Sequence, residues 1–530
     1  MWQVLKVIQK IWPFSLGLVL GLYFITLNIT GKDFTCFPGD LGDARFNTYI
    51  LENAHKFFTG QNKSLWNAPF MYPEHNVITY SDNLVGSAPF YSIFRLIGYD
   101  RETSFQWWFL IMTVLSYSCC YFFLNWCFKN KYAAVLGAMV FAFSMALQSQ
   151  ITHAQTFPRF AVPLALWMGV LFMERQKPVH FFAALFFVVY QLYCGIYLGF
   201  MLSVPIALLL IFSIISKRKI FYQKIKNYKW SGMIAASIII NILIVLPLML
   251  PYLHRAKQVG LNNYENIILN IPTIKSYFFS QPGSIFWGFF DHTCSSYPSS
   301  WDHQIFSGGI ATLCIIISGV IIVSRIFSKK YFHKFVIDGS LIVLFFTGLV
   351  TFLFFIHFNH FSFYKFLFHM PGFGSMRAIQ RIINVELIFF AIATAFVFSK
   401  IFQNKWKFSI IIFILFCIVM IADNYYKEGN SYRTNKVISQ SRVNLLIKKM
   451  NNLKPGSIVS YEPEKIETGP IEYQIDAMLA SQSLNLFSIN GYSATSPDGY
   501  GNYWNAMNKN SREEWFRKKC FSPDTVYVIH

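Results

Sequence analysis

About eleven runs of apolar residues, candidates to cross a bilayer as helices, dictate what this chain can become. They cover 13–30, 105–127, 132–149, 159–173, 179–194, 197–216, 232–251, 308–326, 335–357, 382–399 and 407–423. A soluble chain of 530 residues would divide into about three domains. Here 54 % of residues are hydrophobic, 13 % are charged and Phe alone occurs 58 times, more apolar surface than a globular core absorbs. The expected fold class is an α-helical polytopic membrane protein with about 11 transmembrane helices over 1–423, followed by a small α/β cap over 424–530.

The formal net charge of +20 raises the question of nucleic acid, but the basic residues are dispersed among short loops with no recognition motif. Lys6, Lys10, Lys129, Lys131, Arg175 and Lys177 fall on one side, as do Lys217, Arg218, Lys219, Lys224, Lys226 and Lys229. Arg325, Lys329, Lys330, Lys334, Lys400, Lys405 and Lys407 continue that side. The positive-inside rule makes it cytoplasmic, with the N-terminus inside, the C-terminal segment outside and anionic membrane lipids as partners. The first run follows basic residues and precedes no A-x-A-like site, so it reads as an uncleaved anchor. Cys36, Cys294 and Cys520 lie outside the runs, and no disulfide is assigned among them.

This topology leaves four sizeable outward segments, 31–104, 252–307, 357–381 and 424–530, so the chemistry is expected on the outer face. Over 43–58, Phe46, Ile50, Phe57 and Phe58 recur at helical spacing, which predicts an amphipathic helix lying in the interface. In the last segment SIVSYE (457–462), LNLFSIN (484–490) and TVYVIH (525–530) read as strands, with helices over 471–480 and 503–519.

The stretch CFPGDLGDARFNTYILENAHKFFTG (36–60) carries two carboxylates, Asp40 and Asp43, each preceded by glycine. Anchoring requires no acid there, and ionisable groups pressed against a bilayer mark functional sites. A partly desolvated carboxylate has a raised pKa and accepts a proton from a hydroxyl. Alternatively, Asp43 caps the following helix and Asp40 closes the turn.

QSQITHAQTFPRF (148–160) crowds Gln148, Gln150, His153, Gln155 and Arg159 between two runs, either to face a cavity or an anion, or to anchor in headgroups. The segment 357–381 holds His357, His360, Lys365, His369, Arg377 and Arg381. The two arginines, four apart, would share a helical face and suit a phosphate, or anchor in headgroups. The histidines match no zinc pattern and read as interfacial. Asp291, His292, Trp301, Asp302 and His303 set aromatic rings beside acids, as carbohydrate sites do. SINGYSATSPDGYGNYW (488–504), with Asn490 and Tyr492, is a binding loop or only a turn.

GDLGDARFNTYILEN (39–53), THAQTFPRF (152–160), PGFGSMRAIQR (371–381) and INGYSATSP (489–497), set in this topology, resemble the GT-C superfamily of membrane glycosyltransferases. That superfamily includes protein O-mannosyltransferases, oligosaccharyltransferases and lipid A aminoarabinose transferases. The resemblance spans most of the chain through short motifs. It implies a catalytic acid at Asp43 or Asp40, with Asp43 favoured, and a sugar donor on polyprenyl phosphate in the outer leaflet. It further implies transfer with inversion to a lipid, glycan or protein hydroxyl, with Arg159, Arg377 and Arg381 on the departing phosphate. His153, Asn490 and Tyr492 complete the expected substrate contacts. The first outer segment has no D-x-D and no adjacent acid pair, so no metal ligands are assigned and a divalent cation (Mg or Mn) stays open as a cofactor.

The competing class is a lipid-linked sugar or polysaccharide transporter. It fits less well, because the runs hold few charges (Glu386 just inside the tenth, Asp423 at the end of the last) and no pair of Gly- or Pro-broken runs repeats between halves. An acyl or phosphoethanolamine transferase would need a larger soluble domain with clustered His. High Lys, Asn, Ile and Phe usage points to an AT-rich genome, and the expected location is a bacterial cytoplasmic membrane.

Overall fold

The computed structural model describes residues 2–297, 299–327, 339–359, 361–403, 408–426, 433–467 and 469–530. Lys329, Lys330, Lys334, His360, Lys405 and Lys407 lie outside them. The chain opens with α1 (Trp2–Gly21), which passes through a π-helical turn at Leu22–Thr26 into α2 (Leu27–Thr30). Next come β1 (Cys36–Pro38), α3 (Asp43–Phe58) and α4 (Ala88–Ile97), followed by the apolar helices α5 (Arg101–Phe128), α6 (Lys131–Phe143), α7 (Ala161–Arg175), α8 (Pro178–Cys194) and α9 (Ile196–Ser216). The short basic helix α10 (Arg218–Ile225) leads to α11 (Tyr228–Val259), and α12 (Tyr264–Ile268) begins a long irregular segment before α13 (Gly309–Phe327) and α14 (Gly339–Phe354). A hairpin of β2 (His357–Phe358) and β3 (Phe361–Ser362) and the single turn α15 (Tyr364–Phe368) precede α16 (Ile383–Ile401) and α17 (Ser409–Asn424). The remainder alternates: β4 (Arg433–Asn435), α18 (Lys436–Met450), β5 (Ile458–Tyr461), α19 (Pro470–Leu484), β6 (Phe487–Ser488), α20 (Gly501–Ala506), α21 (Lys509–Lys518) and β7 (Tyr527–Ile529).

An apolar helix occupies each of the runs read from the sequence, as far as they are described. Among the described residues, six helices are long and apolar enough to cross a membrane: Ile11–Thr30, Arg101–Phe128, Ala154–Arg175, Ile196–Ser216, Tyr228–Val259 and Ile379–Ile401. The other runs hold shorter helices. The run at 132–149, for example, stops being α-helical at Phe143, where Ser144 turns extended and a 3₁₀ turn follows over Met145–Gln150. Among these helices α16 is central, buried along most of its length against α6, α13 and α14, whereas α11 turns Ile238, Ile239, Ile240, Ile242 and Leu243 outward. Asp423 at the end of α17 accepts hydrogen bonds from Gly309 N (3.0 Å), Ile310 N (3.2 Å) and Trp287 Nε1 (2.8 Å), and so closes the N-terminus of α13. Gly308 makes that approach possible: its φ is +92°, and a Cβ would lie 2.5 Å from the Asp423 carboxylate.

After α17 the chain forms a parallel three-stranded sheet in the order β6–β5–β7, with α19 crossing between β5 and β6. This sheet shares its core with the first outer segment. Phe37, Tyr49 and Phe70 from that segment pack in one apolar cluster with Trp108 of α5 and with Ile475 and Trp515 from the C-terminal part. Backbone bonds join the two as well: Tyr72 N donates to Ser488 O (3.0 Å), Ser488 N to Pro69 O (3.0 Å), and β1 pairs antiparallel with β4. The line drawn at residue 424 therefore marks the end of the last apolar helix and not the edge of a separate core.

α3 departs from its expected setting. Its bounds match the sequence pattern, but residues 44–56 are all buried, so it is no exposed amphipathic helix. Its polar face is covered by partners instead of water: Arg45 pairs with Asp476 of α19 at 2.6 Å, and Glu52 takes Tyr91 Oη (2.7 Å) and both nitrogens of the Arg95 fork (2.8 and 3.0 Å) from α4. Lys56 donates to Gln482 O and to Asn485 Oδ1. Buried charges are tolerated only with such partners.

Candidate functional site

The loop that carries the two acids is shaped by Gly39. Its φ is +93°, and a Cβ there would strike Ala44 Cβ (2.5 Å) and crowd Ile151 O and Thr152 (3.3 and 3.4 Å). Only glycine lets the 39–43 turn approach the 151–153 loop this closely. Asp40 then accepts the N–H groups of Gly42 (3.2 Å) and Ala44 (3.1 Å), so Asp40 caps the start of α3 and Asp43 is its first helical residue. This reverses the capping alternative read from the sequence, and leaves the Asp43 carboxylate for other groups.

Those groups come from four other parts of the chain. His153 Nδ1 lies 3.1 Å from Asp43 Oδ2, and His153 Nε2 lies 3.7 Å from Asp302 Oδ1, so one imidazole bridges two acids. Tyr492 donates its hydroxyl to Asp43 Oδ1. Its ring is fixed by Trp504 (centroids 5.5 Å, stacked) and by the edge of Phe46 (5.3 Å). Arg381, half-buried over the ring of Tyr197 (5.6 Å), adds its positive charge to the field at Asp43 and at the buried Asp82. Among the described residues Arg381 makes no ion pair, and its buried Nε donates to nothing. Arg377 is exposed nearby, its backbone N donating to Tyr197 Oη (3.3 Å).

Electrostatics separate the two acids. Burial raises the Asp43 carboxyl, but the hydrogen bond and charge of His153, the Tyr492 hydroxyl and Arg381 outweigh it, so Asp43 ends below the ordinary carboxylate value. Asp40 moves up, through burial and then through the like charge of Asp43. Asp43, 30 % exposed at its side chain, is thus a held anion with access to solvent, whereas Tyr492 is kept protonated by burial and by the adjacent carboxylate. The raised pKa expected from desolvation belongs to Asp40, not to Asp43.

Two of the residues assigned to substrate from the sequence are spent elsewhere. Arg159 is 2 % exposed and donates Nη2 to Phe141 O (3.1 Å) and Ala142 O (3.5 Å), the free carbonyls at the end of α6, between the rings of Phe141 and Phe157. Asn490 is wholly buried and bonds both Tyr461 N (2.7 Å) and Tyr461 O (3.0 Å), which locks the 488–492 turn to β5 and aims Tyr492. Arg377 and Arg381 do not share an α-helical face, because the backbone at 376–378 is irregular and Ile379–Ile382 is a 3₁₀ turn; they meet at Tyr197 instead. Sequence reading passed over Asp82 and Tyr197 and gave Asp302 no link to His153. Asp82 accepts from Ile196 N at 2.5 Å, a helix-start contact that no local pattern around residue 82 announces.

Among the described residues no three His, Cys, Asp or Glu side chains are grouped so as to hold a metal ion. What the side chains around Asp43 do offer is an ionised carboxylate, a bridging imidazole, a phenol donor and a cation that makes no ion pair among the described residues, brought together from five segments. No family model matches this chain, and no curated protein matches it.

Proposed function

We propose that the chain is a membrane glycosyltransferase that moves a sugar from a polyprenyl-phosphate donor to an acceptor hydroxyl on the outer face of a bacterial cytoplasmic membrane. In this reading the apolar helices give about eleven spans with the N-terminus cytoplasmic and the C-terminal part outside, as the distribution of Lys and Arg favours. The observation that carries it is the convergence on Asp43: a carboxylate held below its ordinary range near an arginine that, among the described residues, makes no ion pair. A base and an anion clamp within one electrostatic neighbourhood are what displacement of a phosphate by a hydroxyl requires.

In the step itself the acceptor oxygen attacks the anomeric carbon, and its proton passes to Asp43. The bond from the anomeric carbon to the phosphate oxygen breaks with inversion, and the phosphate leaves with its charge balanced by Arg381 and Arg377. His153, set between Asp43 and Asp302, orients the base and stabilises its charge. Tyr492 holds the second carboxylate oxygen so that Asp43 presents a fixed edge.

The test is transfer of radiolabelled sugar from polyprenyl-phosphate donors by purified protein in liposomes containing a membrane lipid extract. Asp43→Asn is expected to lower turnover by about 10²–10⁴-fold, the usual worth of a general base, in protein that still folds. Wild-type transfer with an Asp43→Asn variant of equal rate would remove Asp43 from the mechanism. Repeating the assay with EDTA decides the role of a divalent cation, and absence of transfer with every donor, together with donor flipping in vesicles, would favour transport.

A further inference from the structure

A groove of about 370 Å³ runs between α13, α14 and α16. It is lined almost wholly by apolar side chains, and Ile316 of α13 and Leu349 of α14, both on its rim, are exposed on the outer surface of the helices. Among apolar helices read as membrane spans, such a mouth opens to lipid, so the occupant arrives from the bilayer and brings a hydrocarbon chain.

The polar end of the groove is unusual. Glu386, in the first turn of α16 and 3 % exposed, lines it together with Tyr277, which donates its hydroxyl to Glu386 Oε2 at 2.5 Å. Among the described residues nothing donates to the buried Oε1. A buried carboxyl oxygen without a donor is costly, and a ligand hydroxyl is the group that would satisfy it. A phosphate at this point would meet an acid where it needs a cation.

One histidine bonds a sequence neighbour of each of the two sites. His303, next to Asp302, bonds Ser276 Oγ (2.9 Å) and Gln380 Nε2 (3.2 Å). Ser276 is the neighbour of Tyr277, and Gln380 the neighbour of Arg381.

We infer that this groove is a lipid-binding site, and that it takes a neutral lipid whose chain lies between α13 and α14 and whose free hydroxyl donates to Glu386. The inference goes beyond the transferase reading, and lipid binding in the groove is measured without any sugar transfer. Gly319 supplies a clean block: it lines the groove, and a Cβ there meets nothing closer than Phe345 at 3.8 Å, so Gly319→Leu fills the space without a backbone clash.

The experiment is photolabelling of the full chain, in nanodiscs of phosphatidylethanolamine and phosphatidylglycerol, with a diacylglycerol carrying a diazirine on its acyl chain. Labelled peptides are expected on α13, α14 and α16, competed by unlabelled diacylglycerol but not by triacylglycerol, which lacks the hydroxyl, or by polyprenyl phosphate. Gly319→Leu should abolish the labelling, and Glu386→Ala should weaken it about tenfold, the order expected for one lost hydrogen bond to a buried acid. Labelling unchanged by Gly319→Leu overturns the site. Equal competition by polyprenyl phosphate assigns the groove to a polyprenyl chain and overturns the neutral-lipid assignment; equal competition by triacylglycerol overturns the role of Glu386. Groove labelling as expected in a protein that transfers no sugar would refute the transferase reading and leave the lipid site standing.

Discussion

Asp43 gathers partners that pull its titration against the burial that surrounds it. Because its folded pKa lies below the unfolded value, its contribution to stability is present above the unfolded pKa and is lost as pH falls through the folded one. The same sign governs catalysis: the base is ionised down to unusually low pH. Tyr492→Phe removes a donor to the charged form, so the carboxyl pKa rises and the acid limb of kcat/KM moves to higher pH; His153→Gln, which removes the stronger partner, moves it further. A pH–rate profile checks both, and an unmoved acid limb would show that another group titrates there. The glycines and acids of 39–43 were legible in the sequence because a glycine–acid turn after an apolar run has few structural uses. Arg159 and Asn490 show the limit of such reading: a polar residue at an element end is equally demanded by unpaired backbone groups, and only the distances to Phe141 and Tyr461 show that use.

α3 shows what an element's own pattern can and cannot convey. Its bounds were readable from apolar spacing, since the 3.6-residue period is a property of the segment itself. Its burial was not, because the cover is α19, more than 400 residues later in the chain. The join depends on the ion cluster in which Arg45 pairs with Asp476 at 2.6 Å and Arg442 pairs with the same acid at 2.7 Å. Asp476→Ala leaves the Arg45 guanidinium, 1 % exposed, without its counter-charge, and is expected to cost about 3–5 kcal/mol, as broken buried pairs do. Thermal unfolding in detergent measures it. The exposed pair Lys509–Glu513 is the control, and its loss should cost less than about 1 kcal/mol. Similar costs for the two variants would mean that α3 and α19 are not coupled through this acid.

For the whole molecule, the shared core of the first outer segment and the C-terminal sheet has a topological consequence. Phe37, Tyr49 and Phe70 cannot pack with Ile475 and Trp515 across a bilayer, so the two parts stand on one side of the membrane, whichever side that is. One cysteine then reports on the position of the entire Asp43 site. Cys520 is exposed beyond α21, whereas Cys194, Cys294, Cys314 and Cys417 are buried. If the positive-inside reading is right, a membrane-impermeant maleimide added to intact spheroplasts labels Cys520, and Cys520→Ser removes most of that signal. The same reagent on inverted vesicles should leave Cys520 unmodified. Labelling confined to inverted vesicles would put Asp43, His153, Asp302, Arg381 and Tyr492 together in the cytoplasm. A donor sugar presented in the outer leaflet could not reach them there, and the proposed chemistry would fail on geometry alone, before any assay of transfer.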